Sequence, residues 1–519
     1  MIPGARRCGV AASVLMALVV AGGSAEAAGS GPVDPRLLSA AKHIEKLDVI
    51  EAAAALSGVA EEGDALIVHA LLALHTGDCD RAVALLDRAA AGNDEAAPYL
   101  APVARGCAMV TAGAVTISDE AAGVTVRLTD EDDAPLVPYI IDVLARALAS
   151  LERDLGVKMP RPVRIELVRD HHSLSAITGL ALDAAQNTGT LAVAKWGRVT
   201  MLSPRAIPHG YPWADTLMHE LTHLAVTRAS ADEAPLWLQE GVAKRQEPRW
   251  RAPFLYDGTP SPDALAIAGF KKNLGLPLDQ LGPSIAMLPT AEQAGVAFAE
   301  VTSFVRFWTK EAGDGALPRL LSALDQQRTP TAVDDALRAV SGADLKGWDA
   351  RWRKYLADNP AALPADTFLS GPNPKRKEHA RRSRLGDLLA ARGHHEAAVL
   401  ELERAVAAGP TDPSARARLA TSLRALARDE QAEKQVASLD QVQGAHPGYL
   451  ALRARFLSAK GDASAQESAD HALWNGPLDA EVACEGAKPG ELPADPKRSA
   501  LCQAARAAAE DLGRLSPRR

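Results

Sequence analysis

The chain has 519 residues, a formal net charge of −8, 47% hydrophobic, 24% charged and 4% aromatic residues, and five cysteines. These fractions are ordinary for a globular protein, which excludes wholesale disorder, a collagen-like chain and a many-spanning membrane protein. Mild acidity offers no basic face for nucleic acid, and scarce aromatics with abundant alanine point to helices rather than a large sheet.

Residues 1–27 carry an early basic pair (Arg6, Arg7), an apolar stretch from Val10 to Val20 and small residues ending Ala25-Glu26-Ala27. This is the layout of a secretory signal peptide with an A-x-A cleavage site, and the stretch is short for a bilayer span. The mature protein is therefore expected to be exported, periplasmic or extracellular, with no stable membrane span. Cys8 precedes the apolar stretch and does not read as a lipoprotein cysteine. Export would allow Cys79, Cys107, Cys484 and Cys502 to form two local disulfides, against a competing reading of buried free thiols; their connectivity stays open.

Residues 35–115 read as helical. Gly77 is followed by Ala82, Leu86 and Ala89, and the same offsets recur at Gly393, Ala398, Leu402 and Ala405. A further copy follows at a shift of 34, pairing Leu385 with Leu419, Leu389 with Leu423, Ala398 with Ala432 and Leu402 with Val436. Gly461 falls two such periods after Gly393, although Gln466 stands where a small alanine is expected. Small residues let paired helices approach and glycine permits the tight turn between them. A 34-residue period of this kind resembles the tetratricopeptide repeat, clearly over 375–515 and less so over 35–115, where a generic helical bundle competes.

Between these flanks the pattern changes. Gly123–Leu128 and Val163–Val168 alternate like strands, and Thr190–Leu202 reads as a strand pair broken at Trp196-Gly197. Pro138–Leu155 has the apolar spacing of a helix, and most of the chain after Tyr211 is helical. His171 and His172 follow a strand and are placed in a loop. Residues 361–374, rich in Pro, Ala and Gly, form a linker. The basic cluster from Lys375 to Arg384 reads as a solvated helix start rather than a nucleic-acid patch.

The residues that carry chemistry are His219-Glu220-Leu221-Thr222-His223. On a helix the two imidazoles lie about 40° apart on one face, Glu220 lies beside them at about 100°, and Leu217, Leu221 and Leu224 fall at about 140° to 200°. Catalytic zinc takes three protein ligands and keeps one open position. A third donor is offered by Glu240, within Pro235-Leu236-Trp237-Leu238-Gln239-Glu240-Gly241, where Pro235 opens a second helix and Gly241 lets it pack closely on the first. Two exposed histidines on an amphipathic helix are the bland alternative.

H-E-L-T-H followed by P-L-W-L-Q-E-G is similar to the gluzincin zinc metallopeptidases, in particular the bacterial peptidase MA-like domains. The resemblance covers roughly Ile117 to Pro360. It implies one Zn2+ per chain held by His219, His223 and Glu240, with Glu220 as general base. Families of this kind often carry a tyrosine on the following helix, where the alignment places Phe298; Tyr211, His209 and Tyr256 are the candidate substitutes for stabilising an oxyanion or binding substrate. Lys244 occupies a position one turn after Glu240 where relatives can place a ligand-orienting carboxylate; a cation there is unhelpful beside zinc unless it turns to solvent.

The expected fold class is α+β and predominantly helical: a zincin-like metallopeptidase domain over 117–360 between tetratricopeptide-like regions over 35–115 and 375–515. The expected function is an exported zinc-dependent peptidase acting on a peptide or protein substrate, with the repeats available to a protein partner and no nucleic acid bound. The strand near Val199–Leu202 is expected to pair with an extended peptide. The alternative is a catalytically inactive peptidase-like scaffold that binds proteins through its repeats.

Overall fold

A computed structural model describes residues 34–515, apart from 208–209, 283, 327–328, 330, 364–368, 370–373, 486 and 488–489. The signal-peptide segment 1–27 and His209 therefore lie outside the described residues, as does most of the linker.

Five helices open the described chain: α1 (Pro35–Glu45), α2 (Val49–Ala55), α3 (Ala65–Thr76), α4 (Cys79–Ala91) and α5 (Ala97–Thr111). Gly77 closes α3 with φ +80°, a left-handed turn that a side chain would strain, so α3 and α4 double back on one another. Leu71, Leu74, Ala82, Leu86, Leu100 and Ala104 form their shared core.

The central region holds a five-stranded mixed sheet, β1 (Val115–Asp119), β2 (Val124–Leu128), β3 (Val163–Val168), β4 (Ala192–Lys195) and β5 (Arg198–Leu202), in the order β1-β2-β3-β5-β4. The β2-β3 and β3-β5 pairs are parallel, and the outer pairs are antiparallel hairpins. Trp196 (φ +55°) and Gly197 (φ +67°) make the two-residue turn of the β4-β5 hairpin. α6 (Val137–Leu155) crosses from β2 to β3, burying Ile140, Val143, Leu144 and Leu151. Two short helices, α7 (His171–Thr178) and α8 (Leu182–Thr188), lie between β3 and β4. His171 and His172 thus open a helix rather than a loop, because Asp170 caps its first turn by accepting from the Ser173 N–H at 2.7 Å.

Beyond the sheet come α9 (Trp213–Ser230), α10 (Leu236–Gln246), α11 (Pro262–Lys271), α12 (Ala291–Ala312), α13 (Ala316–Gln326), α14 (Ala332–Ser341) and α15 (Leu345–Asp358). α9 packs on β4, β5 and α6, and α10 lies between α9 and α12. A Cβ on Gly241 would come 2.4 Å from Val305 Cγ2 and 2.6 Å from the Val301 carbonyl oxygen. The glycine therefore serves close packing of α10 on α12, not on the histidine-bearing helix as the sequence pattern alone implied.

The C-terminal helices are α16 (Pro374–Ala390), α17 (His395–Ala408), α18 (Pro413–Ala425), α19 (Asp429–Val436), α20 (Pro447–Ala459), α21 (Ala465–Asn475), α22 (Ala480–Ala483) and α23 (Pro496–Leu515). They pair as α16-α17, α18-α19 and α20-α21. The 34-residue shift appears in the buried positions: Ala398 and Ala432, like Leu402 and Val436, are all fully buried. Ala427 takes the left-handed turn (φ +58°) that Gly393 and Gly461 take in the neighbouring pairs. Leu385 departs from the pattern: it is 42% exposed while Leu419 is buried, because α16 has no preceding pair to cover it.

These helices are not tethered loosely. Trp213 Nε1 donates to the Leu473 carbonyl at 3.0 Å, and the Tyr256 hydroxyl donates to the Leu439 carbonyl at 2.5 Å. His471 stacks on Phe254 at 3.5 Å and Trp250 meets Trp474 edge-on at 4.9 Å. Within the linker Leu369 is itself buried, against Leu265, Val296 and Ala299. Both cysteine pairs form disulfides, Cys79–Cys107 and Cys484–Cys502, each joining neighbouring helical segments.

One buried cation helps to fix the N-terminal helices to the sheet, beside Arg127 of β2, which donates to the Gly77 carbonyl at 2.8 Å. Arg198 on β5 is fully buried, pairs with Glu166 at 3.2 Å, and donates to the Leu74 carbonyl and to Cys107 Sγ. Arg198→Leu would leave Glu166 with Arg127 and the Thr200 hydroxyl, and should cost about 3 kcal/mol, read as a lower midpoint in urea unfolding. A second expectation concerns His471. Burial, reinforced by Arg251, holds its pKa down at about 3, below the 6.5 of an open histidine. The unfolded chain then takes up this proton first, so stability is undiminished above pH 6.5 and falls as pH drops towards 3, by about 1.4 kcal/mol per unit. His471→Phe should remove that part of the acid sensitivity in pH-dependent thermal melts.

Candidate metal centre

The site is built by two helices and the turn between them. On α9, Leu217, Leu221 and Leu224 are buried in the core, which rotates His219 and His223 to the opposite side of the helix. The chain reverses after Ser230 through Ala231 (φ +46°) and Asp232 (φ +63°), two consecutive left-handed residues without glycine. Such residues are costly unless their surroundings hold them, and here the Asp232 carboxylate accepts from the Thr227 hydroxyl at 3.2 Å. Pro235 then caps α10, whose second turn presents Glu240 to the two imidazoles.

His219 Nε2 and His223 Nε2 lie 3.1 Å apart, and Glu240 Oε2 lies 3.5 Å from the first and 3.6 Å from the second. A tetrahedral zinc site with bonds of about 2.0–2.1 Å has donor-to-donor edges of about 3.3 Å, so this triangle is the right size. Two imidazole nitrogens and one carboxylate oxygen also match the donor chemistry of a catalytic zinc site. Among the described residues, this is the group of His, Cys, Asp and Glu side chains that converges in this way. Glu220 is buried next to His219, and its carboxylate makes no hydrogen bond to another described residue, which leaves its oxygens free for a proton.

A third acidic residue completes the arrangement and was not anticipated. His219 Nδ1 lies 2.8 Å from Glu247 Oε1, so Glu247 fixes the ring and aims Nε2 at the ligand triangle. Lys244 does not turn to solvent; its ammonium sits 2.7 Å from the same Glu247 oxygen. Glu247 thus supplies the orienting carboxylate that Lys244 appeared to displace, two helical turns after Glu240 instead of one. That seven-residue spacing on one helix face was the available sequence signal. One turn before His219, Asp215 accepts from Trp250 Nε1 at 2.8 Å and pairs with Arg251 at 2.7 Å, bracing the start of α9.

The electrostatics call for positive charge at the triangle. Burial disfavours a charged His219, but its hydrogen bonds to Glu240 and Glu247 outweigh this and push its pKa up to about 10. Burial would raise both carboxylates, yet His223 and His219 hold Glu240 well below the usual carboxylate range, and Lys244 with His219 holds Glu247 at about 2. A buried site that stabilises deprotonated carboxylates around two imidazoles is suited to a cation.

The other candidates do not join it. The Tyr211 hydroxyl is buried and donates to the Leu202 carbonyl at 2.5 Å, and the Tyr256 hydroxyl is given to Leu439; neither proton is free for an oxyanion. Phe298 sits under Lys244, whose ammonium is 5.4 Å from the ring centre. The strand Val199–Leu202 lies inside the sheet between β3 and β4, so it cannot accept a peptide; the free edge on that side belongs to β4.

Residues 144–358 match the family model of the Peptidase MA superfamily. The chain carries a peptidase MA-like domain. The match takes in most of α6, the sheet from β3 onward, both site helices and the helices through α15, and leaves both helical flanks outside it. No curated protein and no solved structure matches the chain. Within the peptidase domain, Glu247→Ala should weaken zinc binding by about 10- to 100-fold while leaving the fold intact, measured by competition with a chromophoric chelator and by circular dichroism.

Proposed function

We propose that this protein is a zinc metallopeptidase of the gluzincin type, with His219, His223 and Glu240 holding the metal and Glu220 acting as general base. The observation that carries this reading is the convergence of three donors of the appropriate kind, from two helices, beside a free carboxylate. The peptidase MA-like domain supports it, since members of that superfamily are typically zinc-dependent.

Zinc bound there supplies Lewis acidity, polarising a peptide carbonyl and making water a nucleophile at neutral pH. The chain's own residues do the rest. Glu220 accepts the water proton at its carboxylate and returns it to the leaving amine nitrogen. Glu247 keeps His219 in one tautomer and orientation through Nδ1, and Lys244 keeps Glu247 ionised for that task. Tyr211 and Tyr256 both give their hydroxyl protons to backbone carbonyls, so neither serves an oxyanion in this scheme.

Export belongs to the same proposal. It is supported by the signal-like residues 1–27 and by the disulfides Cys79–Cys107 and Cys484–Cys502, which persist in oxidising compartments. The paired C-terminal helices are proposed as tetratricopeptide-like on the strength of their 34-residue shift.

The test is Glu220→Gln. Turnover of a quenched peptide library should fall by about 10²- to 10⁴-fold while the protein keeps one zinc per chain by elemental analysis. Retained turnover in this variant, or hydrolysis that survives a strong chelator, would defeat the reading.

A further inference from the structure

A cavity of about 840 Å³ lies between the peptidase domain and the C-terminal helices. Glu247, Lys244 and Phe298 form part of its wall, so it adjoins the His219–His223–Glu240 triangle across the hydrogen bond from Glu247 to His219 Nδ1, and Gly444, Ala445 and His471 close it from the C-terminal side. Its charge is unbalanced. Three lining cations are already satisfied: Lys244 by Glu247, Arg249 by Asp154, and Arg251 by Asp215 and Asp257. Arg245, Arg306 and Lys310 also line it and make no ion pair among the described residues, and Arg245 Nη1 is buried without a hydrogen-bond partner. Against these three stands one lining carboxylate without a salt bridge, Asp314.

An excess of two positive charges around a partly enclosed space is unexpected in a chain of net charge −8. A buried guanidinium nitrogen left unpaired costs free energy that a carboxylate on a ligand would recover. Arg245 lies on α10, the helix that carries Glu240, so its stem is positioned by the same rigid element as a metal ligand. Burial holds the Arg245 pKa below the usual arginine value and neighbouring Arg249 adds to this, against the opposing pull of Asp154 and Asp314.

We propose that this cavity is a substrate subsite for a carboxylate of the peptide, an acidic side chain or the free C-terminus, recognised by Arg245 with Arg306 and Lys310. The proposal rests on the peptidase reading above and adds to it a substrate class. It also gives the C-terminal helices a role in specificity, because they form one wall of the subsite.

The experiment uses the full mature chain loaded with zinc. Quenched peptides carrying Glu or Gln at each scanned position, all amidated, report side-chain recognition. A neutral peptide with a free or amidated terminus reports recognition of the chain end. One arm should show a kcat/KM preference for the carboxylate of about 10- to 100-fold, the range of one charged hydrogen-bonded contact. That preference should collapse towards one in the pair Arg245→Gln and Arg306→Gln, chiefly through KM, and be largely retained in Arg245→Lys. Equal turnover of charged and neutral peptides in both arms overturns the proposal, as does a preference that survives the double substitution. Should the double variant misfold, exposed Lys310→Gln must still lower the preference, and an unchanged ratio counts against the subsite. If the protein cleaves nothing, anisotropy with fluorescein-labelled Glu and Gln peptides decides separately: charge-dependent binding lost in Arg245→Gln keeps the subsite and sinks only the peptidase reading, and no charge dependence sinks both.

Discussion

The hydrogen bond between His219 Nδ1 and Glu247 is the contact on which the centre depends. An imidazole can present only one nitrogen to a cation, and the other must be told where to point. Here that instruction comes from a carboxylate at the end of α10, so the helix that carries Glu240, a proposed ligand, also orients the His219 imidazole on α9. The two helices are therefore coupled through side chains at the site as well as through their apolar faces. Lys244, an awkward neighbour for a cation, is neutralised within the same small cluster, and the charge it brings is used to keep Glu247 ionised.

Everything around this contact keeps two helices in register. The leucine stripe of α9 fixes its rotation, the tight reversal at Ala231 and Asp232 sets the angle at which α10 returns, and Gly241 allows α10 to lie directly on α12. Asp215, Trp250 and Arg251 brace the start of α9 from the side where the C-terminal helices dock. The protein thus spends rigid secondary structure on the His219–His223–Glu240 triangle and places its irregular segments around the adjoining cavity. The sheet contributes at one remove: β4 and β5 support α9, and Arg198 ties them to the N-terminal helices by burying a guanidinium among backbone and sulfur acceptors.

The sequence reading gives tetratricopeptide-like helical flanks, with a linker over 361–374 before the C-terminal one. The C-terminal block instead shares a core with the peptidase domain, through Trp213, Phe254, Tyr256 and His471. Aromatic residues are scarce in this chain, and several of them sit at that junction. A wall built this way has a fixed shape, which is what a specificity-determining surface requires.

The paired histidines were legible in the sequence because helical spacing is a local property: four residues make about one turn, so His219 and His223 had to share a face. Glu240 was legible only through the company it keeps, a proline before it and a glycine after it. The β4-β5 hairpin, α6 and the period of the C-terminal pairs were legible for the same reason, each being a repeat of two, of 3.6 or of 34 residues. What the one-dimensional pattern could not contain is which partner each group meets. Phe298 and Lys244 looked like defects, Tyr211 and Tyr256 like remedies, and Val199–Leu202 like an edge. Each was decided by which partner the folded chain supplied: a hydroxyl claimed by a carbonyl, nine residues back for Tyr211 and 183 residues on for Tyr256, an ammonium claimed by Glu247 three residues on, a strand enclosed by two others. Spacing along a helix fixes direction, but hydrogen-bond partners and strand order are settled only when the chain has packed.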